Sequence, residues 1–303
     1  MLRIATSAFP MNADIGSNAR WIRRHLREAA NAGAHVVHFP ECALAGYAPS
    51  DRPNYDGFDW DELLRHSEGV RALAAELSIA VVMGSIHRLD YRKPHNSVYI
   101  IGPDGALLDR YDKLFVAGPA DDQEELAHYC SGSHFCTFTL QGVTCGVLIC
   151  HDYRYPELYR QYSRRGVQVM FHSFHAGGIA PGPWESMHAG TGAENHGHHH
   201  GVGTLPGITM PATMISMAAN NYVWISASNS SRPQSCWGSI MVRPDGVIVG
   251  KVPRNRSGLL ITDVDPSVQH YDSTRAWRDR AIDGVFHSGA AIDDPRAKDR
   301  TSF

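Results

Sequence analysis

With 303 residues, 43% of them hydrophobic, the chain can bury a large core, as one big domain or two small ones. A formal charge of −3 and a pI near 6.6 exclude a basic stripe for nucleic acid and a polybasic face for membranes, which leaves a small neutral or weakly charged substrate. Residues 1–9 hold one basic side chain and too little apolar sequence for a secretory signal, and no run of ~18 apolar residues follows. The sequence reads as that of a soluble, cytoplasmic protein.

In chain order, a strand over 3–9, a helix near 19–32, a strand over 35–39, a helix near 60–77 and a strand over 79–85 form a βαβαβ rhythm. Residues 96–101 and 107–111 flank Pro103-Asp104-Gly105, whose residues suit a tight turn, so a hairpin is predicted. A strand over 143–149, a helix over 156–165, a strand over 167–171, a helix around 211–220 and a strand over 222–228 follow. A second hairpin is predicted around Pro244-Asp245-Gly246. The repeated order and repeated turn predict two similar halves whose sheets pack face to face with helices outside; one mixed sheet is the alternative. Residues 172–210 are rich in Gly, Pro and His, with seven of the 18 histidines, and read as a long functional loop. The polar tail over 271–303 either packs on a partner subunit or frays.

Three reactive side chains each stand just past an apolar run. Cys150 ends the run 143–149, where a buried strand stops and the chain turns. The six cysteines, at 42, 130, 136, 145, 150 and 236, form no CxxC pair and no staple-like framework, so they read as reduced. A thiol of ordinary pKa, near ~8.5, is only a few per cent thiolate at neutral pH and needs a base or a cation beside it. Glu41 follows residues 35–39 and the stiff Pro40; a carboxylate against an apolar wall has raised proton affinity, which suits a general base. Lys113, after 107–111, offers an ammonium to pair with Glu41 and to stabilise an oxyanion. Singly these residues read as inert packing, a solvated turn and a surface charge. Together they suggest a covalent hydrolase acting on a C–N bond.

Phe39-Pro40-Glu41 with Ala45-Gly46-Tyr47, the pair Asp112-Lys113, and Cys150-His151-Asp152-Tyr153-Arg154-Tyr155-Pro156-Glu157 are similar to the glutamate, lysine and cysteine motifs of the nitrilase superfamily, the carbon–nitrogen hydrolases. The resemblance runs from residue 3 to about 265 in the family's order. It implies an α/β fold, the four-layer αββα sandwich, usually paired into a homodimer or higher homo-oligomer. Residues 1–265 would be the hydrolase domain, with 172–210 as an insertion, and 266–303 a C-terminal tail at a subunit interface. The resemblance also implies Glu41 as base, Lys113 as oxyanion stabiliser and Cys150 as nucleophile, with the backbone N–H of His151 as a second oxyanion donor. It implies a second glutamate seven residues before a glycine, holding the lysine and the leaving amine. Glu125 stands so to Gly132, with Glu124 as the alternative if the register shifts by one. No cofactor is implied.

In that family Trp-Glu after the cysteine goes with nitriles, whereas Asp followed by Arg-aromatic-Pro-Glu marks amidase-like and carbamoylase-like branches. Asp152 to Glu157 therefore favours a small linear amide or N-carbamoyl substrate. Arg154 and Glu157 are expected to pair and anchor the helix beginning near Pro156. The family's Pro-small pair after the next strand is here Phe171-His172-Ser173-Phe174-His175, and Met217 and Asn220 replace an arginine and a glutamate of a later helix. Selectivity is thus expected from His172 and His175, at the rim, and from the segment running to Met210. Tyr47, His151, Tyr153 and Asn229 adjoin the motifs or a strand end and are further candidate substrate-binding residues. Trp184, Met210, Met214 and Met217 line an apolar part of the pocket or belong to the core. His196, His198, His199 and His200 look like a metal cluster, but adjacent histidines point apart and no Cys or carboxylate has a matching spacing, so no metal is assigned. Besides a cysteine amidohydrolase, a nitrilase or acyl-transferring enzyme and a non-catalytic metal-binding or sensor protein stay open.

Overall fold

The computed structural model describes residues 1–90, 93–118, 124–200 and 202–302. Alternation along β1 (Leu2–Ala8) sets the layering, because successive strand residues face opposite sides. Leu2 and Ile4 enter one core, and Ala5 enters another. The second core is completed by α1 (Ile15–Asn31), which presents Ile15, Ala19, Ile22 and Leu26 at helical spacing. Asp14 caps that helix, accepting the Ser17 N–H at 2.6 Å. After β2 (Val36–His38), α2 (Trp60–Leu77) packs Leu63, Val70 and Leu73 into the same layer, and β3 (Ala80–His87), β4 (His95–Ile101) and β5 (Leu107–Asp112) finish the first half.

The second half repeats this plan. It comprises β6 (Thr137–Leu140), β7 (Val143–Ile149), α3 (Pro156–Arg164), β8 (Val169–Phe174), α4 (Pro181–Thr191), α5 (Leu205–Asn221), β9 (Trp224–Asn229), β10 (Ile240–Val242) and β11 (Ile248–Lys251). β12 (Gly258–Val264) returns to the first half, and the sheets run β12-β1-β2-β3-β4-β5 and β11-β10-β9-β8-β7-β6. Each sheet has three parallel strands, β1 to β3 and β7 to β9, with an antiparallel hairpin on one side. One antiparallel strand lies on the other side, β12 in the first sheet and β6 in the second.

The inner faces meet: Val36, Val82, Val98 and Tyr111 of the first sheet share a core with Val147, Phe171 and Met241 of the second. Polar groups also cross the interface. Thr6 Oγ1 lies 2.7 Å from Ser226 Oγ, and His38 bridges Ser226 Oγ at 2.9 Å and Ser173 Oγ at 3.0 Å. Buried hydroxyls are tolerable there because each has a partner. Leu158, Tyr159 and Tyr162 of α3 and Met214 and Ala218 of α5 cover the far face of the second sheet, completing the αββα sandwich.

Residues 172–210 are not a long loop. β8 continues to Phe174, α4 follows, a 3-10 turn occupies Ala193–His199, and α5 begins at Leu205. The start signals lie in Pro181 and in Thr204, whose Oγ1 accepts the Gly207 N–H at 3.3 Å; Pro206 occupies the first turn, and Pro211 sits inside the helix. In the tail, α6 (Arg278–Ile282) and α7 (Pro295–Lys298) are short, and the His270 N–H donates to Tyr222 Oη at 2.9 Å. Trp277, Phe286 and Ile292 stay exposed. No helix among the described residues is long and apolar enough to cross a membrane.

Candidate active site

Cys150 leaves β7 and opens a 3-10 turn, Cys150–Arg154, with φ of 37°, a left-handed conformation that is costly for a residue with a Cβ. Asp152 holds the turn in place. Its Oδ2 accepts the Ile149 N–H at 3.0 Å and the Tyr111 O–H at 2.8 Å, and its Oδ1 accepts the Phe115 N–H at 2.9 Å. The cysteine turn is thereby tied to the chain after β5, where Lys113 stands. Burial pushes the Asp152 carboxyl up to about 6, although the Phe115 N–H and Lys113 pull the other way.

Lys113 is the centre of a buried cluster. Its Nζ lies 3.0 Å from Glu41 Oε1 and 2.7 and 2.8 Å from the two Glu125 oxygens, with exposures of only 1% for Lys113 and Glu41 and 2% for Glu125. Asn96 Nδ2 donates to Glu41 Oε1 at 2.7 Å and to Glu125 Oε1 at 3.2 Å, and the Ala117 N–H donates to Glu125 Oε2. Burial disfavours the ammonium, but Glu125 and Glu41 more than reverse this and hold Lys113 well above the usual lysine range. Glu41 Oε2 is buried with no hydrogen-bond partner among the described residues. The Cys150 thiol is pushed well up by burial and by the Glu41 charge, with Lys113 and the His175 backbone N–H opposing. At rest the site therefore holds a thiol, and a base must take its proton before sulfur can attack.

The second glutamate of the cluster is Glu125; Glu124 adopts φ of 48° and is exposed. Tyr47 is part-buried near the cluster, its ring stacked on Tyr129 at 5.8 Å and edge-on to His175 at 5.5 Å. His151 is half-buried beside Tyr155, and burial followed by the Lys113 charge pulls its pKa down. Tyr153 points its hydroxyl at Thr209 Oγ1, 3.0 Å away, and so fastens α5 to the cysteine turn.

Three expectations are corrected, those for His172, for Asn229 and for the pair Arg154 and Glu157. His172 is not at the rim, because β8 runs on past it: it is fully buried, with Nε2 3.1 Å from the Cys150 carbonyl oxygen and Nδ1 2.6 Å from Tyr159 Oη. His175 does follow the end of β8; it is buried, its Nε2 3.2 Å from Asp51 Oδ2, Arg232 pairing with the other Asp51 oxygen, and its Nδ1 has no hydrogen-bond partner among the described residues. Asn229 uses its amide on the Ala176 N–H at 2.8 Å, Ser235 Oγ at 3.2 Å and the Trp237 carbonyl at 2.8 Å, which makes it a brace between strand ends with both amide protons already committed. Arg154 lies over the Tyr153 ring, 4.6 Å from its centroid, and both it and Glu157 are exposed; the expected pair is replaced by this stacking. Met217 and Asn220 sit on α5, Met217 beside Asn221 and Asn220 bonded to Ser216. His198, His199 and His200 are exposed, and no group of three or more metal-ligating side chains assembles among the described residues.

Asn96, Asp51 and Asp152 were missed as site residues. Asn96 alone carried a legible signal: it shares a strand face with Val98 and Ile100, so a polar group was bound for the core.

Fold and site together define an αββα sandwich in which a buried Glu-Lys-Glu cluster flanks a cysteine on a strained turn. The profile of the family described as Carbon-nitrogen hydrolase matches residues 3–273. Among similar proteins are the omega-amidase NIT2 of Pongo abelii, 34% identical over 178 residues, 56% of this chain and 62% of that one, and the human omega-amidase NIT2, 28% identical over 253 residues, 79% and 80% of the two chains. The chain thus spans less than two thirds of the Pongo abelii relative. A solved variant of the amidase from Nesterenkonia sp. AN1, its cysteine replaced by alanine and in complex with butyramide, superposes with a TM-score of 0.69 at 22% identity, over 87% of this chain and 90% of that one. This chain belongs to the carbon–nitrogen hydrolase family.

Proposed function

We propose that the protein hydrolyses the C–N bond of a small linear amide or N-carbamoyl compound through a thioester on Cys150. The observation that carries this reading is the buried Glu41-Lys113-Glu125 cluster with one unpartnered carboxylate oxygen, Glu41 Oε2, beside a thiol that burial keeps protonated. Glu41 takes the thiol proton and the sulfur attacks the carbonyl carbon. Lys113 and the His151 N–H stabilise the oxyanion. As that adduct collapses, the C–N bond breaks and Glu41 returns the proton to the departing nitrogen. Water, activated by the same carboxylate, then hydrolyses the thioester and releases the acid. Glu125 keeps Lys113 oriented and faces the leaving amine. The relatives named as omega-amidases, and the butyramide held by the Nesterenkonia variant, support an amide over a nitrile.

The reading extends to a cytoplasmic homodimer or higher homo-oligomer, with a hydrolase domain over 1–265 and the tail over 266–303 at the subunit interface. Its support is the apolar surface the tail leaves exposed at Trp277, Phe286 and Ile292. Ammonia release from a panel of amides, carbamoyl compounds and nitriles tests the chemistry: turnover of amides is expected, and a Cys150→Ala variant that still turns over would refute it. Light scattering on the purified chain tests the assembly, and a monomer at micromolar concentration would refute that part.

A further inference from the structure

We propose that His172 is a positioning residue for the oxyanion site: it grips the Cys150 carbonyl and so aims the His151 N–H at the substrate oxygen. The proposal rests on Cys150 being the nucleophile. The parallel ladder between β7 and β8 ends at the pair Ile149 and Ser173, which leaves the Cys150 carbonyl without a strand partner. His172 Nε2 takes that place at 3.1 Å. A carbonyl can only accept, so Nε2 carries the proton, and Nδ1 offers its lone pair to the Tyr159 hydroxyl at 2.6 Å. That hydroxyl has a single proton, and its other neighbour, Met214 Sδ, is farther away at 3.5 Å. The ring is locked from the side as well, stacked on Phe174 with centroids 4.2 Å apart.

The consequence follows from the planarity of the peptide. The carbonyl of Cys150 and the N–H of His151 belong to one trans unit and point in opposite directions, so fixing the oxygen fixes the N–H. The turn needs such a clamp, because φ of 37° at Cys150 is a conformation the chain would otherwise leave. Burial, with Lys113 adding to it, drives the His172 pKa down to about 3, so the imidazole stays neutral in this one tautomer across the working pH range.

The test compares wild type with His172→Phe, His172→Gln, Tyr159→Phe and Cys150→Ala, using butyramide as substrate and butyraldehyde as inhibitor. Addition of the thiol to the aldehyde forms an S–C bond, breaks the carbonyl π bond and moves the proton to oxygen, so the adduct occupies the oxyanion site without turnover. His172→Phe is expected to lose ~10²-fold in kcat and a similar factor in butyraldehyde affinity, with KM for butyramide within about threefold. His172→Gln, whose amide N–H can reach the same carbonyl, should recover to within about tenfold of wild type, and Tyr159→Phe should lose ~10-fold in both readouts. A purely structural role predicts lower thermal stability with aldehyde affinity unchanged. The inference is overturned if folded His172→Phe keeps kcat within about threefold or if His172→Gln is no better. Should His172→Phe not fold, Tyr159→Phe with unchanged aldehyde affinity overturns it. Activity in Cys150→Ala strikes the nucleophile reading instead, whereas an inactive Cys150→Ala beside an unimpaired His172→Phe strikes only this one.

Discussion

Replacing Lys113 by methionine keeps most of the length of the side chain and removes its charge from between two buried carboxylates. At an effective dielectric of ~20, each contact of about 3 Å has a gross attraction of roughly 5 kcal/mol, most of it spent on desolvation. The net change is set by what remains: Glu41 and Glu125, almost wholly buried and sharing Asn96 as a common donor. Stripping one partner from a buried ionic cluster costs about 3–5 kcal/mol. Because its folded-state pKa lies above the ordinary lysine value, the stabilisation from Lys113 is fully present at neutral pH and is lost only as alkalinity rises through the raised value. Urea unfolding followed by tryptophan fluorescence near neutral pH reads the loss, and amide turnover should fall ~10²–10³-fold with the oxyanion stabiliser gone. Adding Glu125→Gln removes one stranded charge and should return about 1 kcal/mol or more of stability. A Lys113→Met protein within about 1 kcal/mol of wild type, or a double variant less stable than the single, would refute the picture of a tightly coupled buried cluster.

Asp152 predicts a pH effect of the opposite sign to ordinary paired carboxylates. Its folded-state pKa of about 6 is above the unfolded value, so its contribution is fully present below pH ~4 and is lost as pH rises through 6, up to about 3 kcal/mol in all. Wild type should therefore gain stability relative to Asp152→Asn as pH falls through that window; a flat difference contradicts the burial argument. Glu41→Gln should keep the hydrogen bonds to Lys113 and Asn96 through its amide oxygen yet lose ~10²–10⁴-fold in kcat, because the free Oε2 that takes the thiol proton is gone. Replacing His198, His199 and His200 together by alanine should leave turnover within about twofold and thermal stability within about 0.5 kcal/mol, since these side chains are exposed; a larger loss, reversed by added zinc, would favour a metal-dependent role.

What the sequence disclosed depended on whether a residue's partners were close in the chain. Cys150, Glu41 and Lys113 were legible because each follows an apolar run, and strand ends in α/β folds gather at one edge. The paired Pro-Asp-Gly turns likewise betrayed the two halves, and both turns close hairpins in the structure. β12 escaped notice since its partner, β1, stands at the far end of the chain, and only the closed sheet makes Gly258–Val264 a strand. His172 and Asn229 were misplaced for a related reason. Strand ends were set one to three residues early, so His172, which faces the core, was read as a rim group, and Asn229, the last residue of its strand, as a substrate-binding candidate. The Gly- and His-rich stretch looked like a loop because glycine and proline lower helical propensity, yet prolines at first-turn positions and packing of Met210 and Met214 on the second sheet outweigh that cost.

The central claim is a covalent acyl-enzyme on Cys150. Butyramide mixed with the wild-type protein, quenched in acid within the first turnover and digested for peptide mass mapping, should give one butyryl group on the peptide bearing Cys150, absent from Cys150→Ala and accumulating in Glu41→Gln if any acylation proceeds there. Turnover of butyramide with no acyl group on Cys150 at any quench time, or with the group on another side chain, would contradict the account.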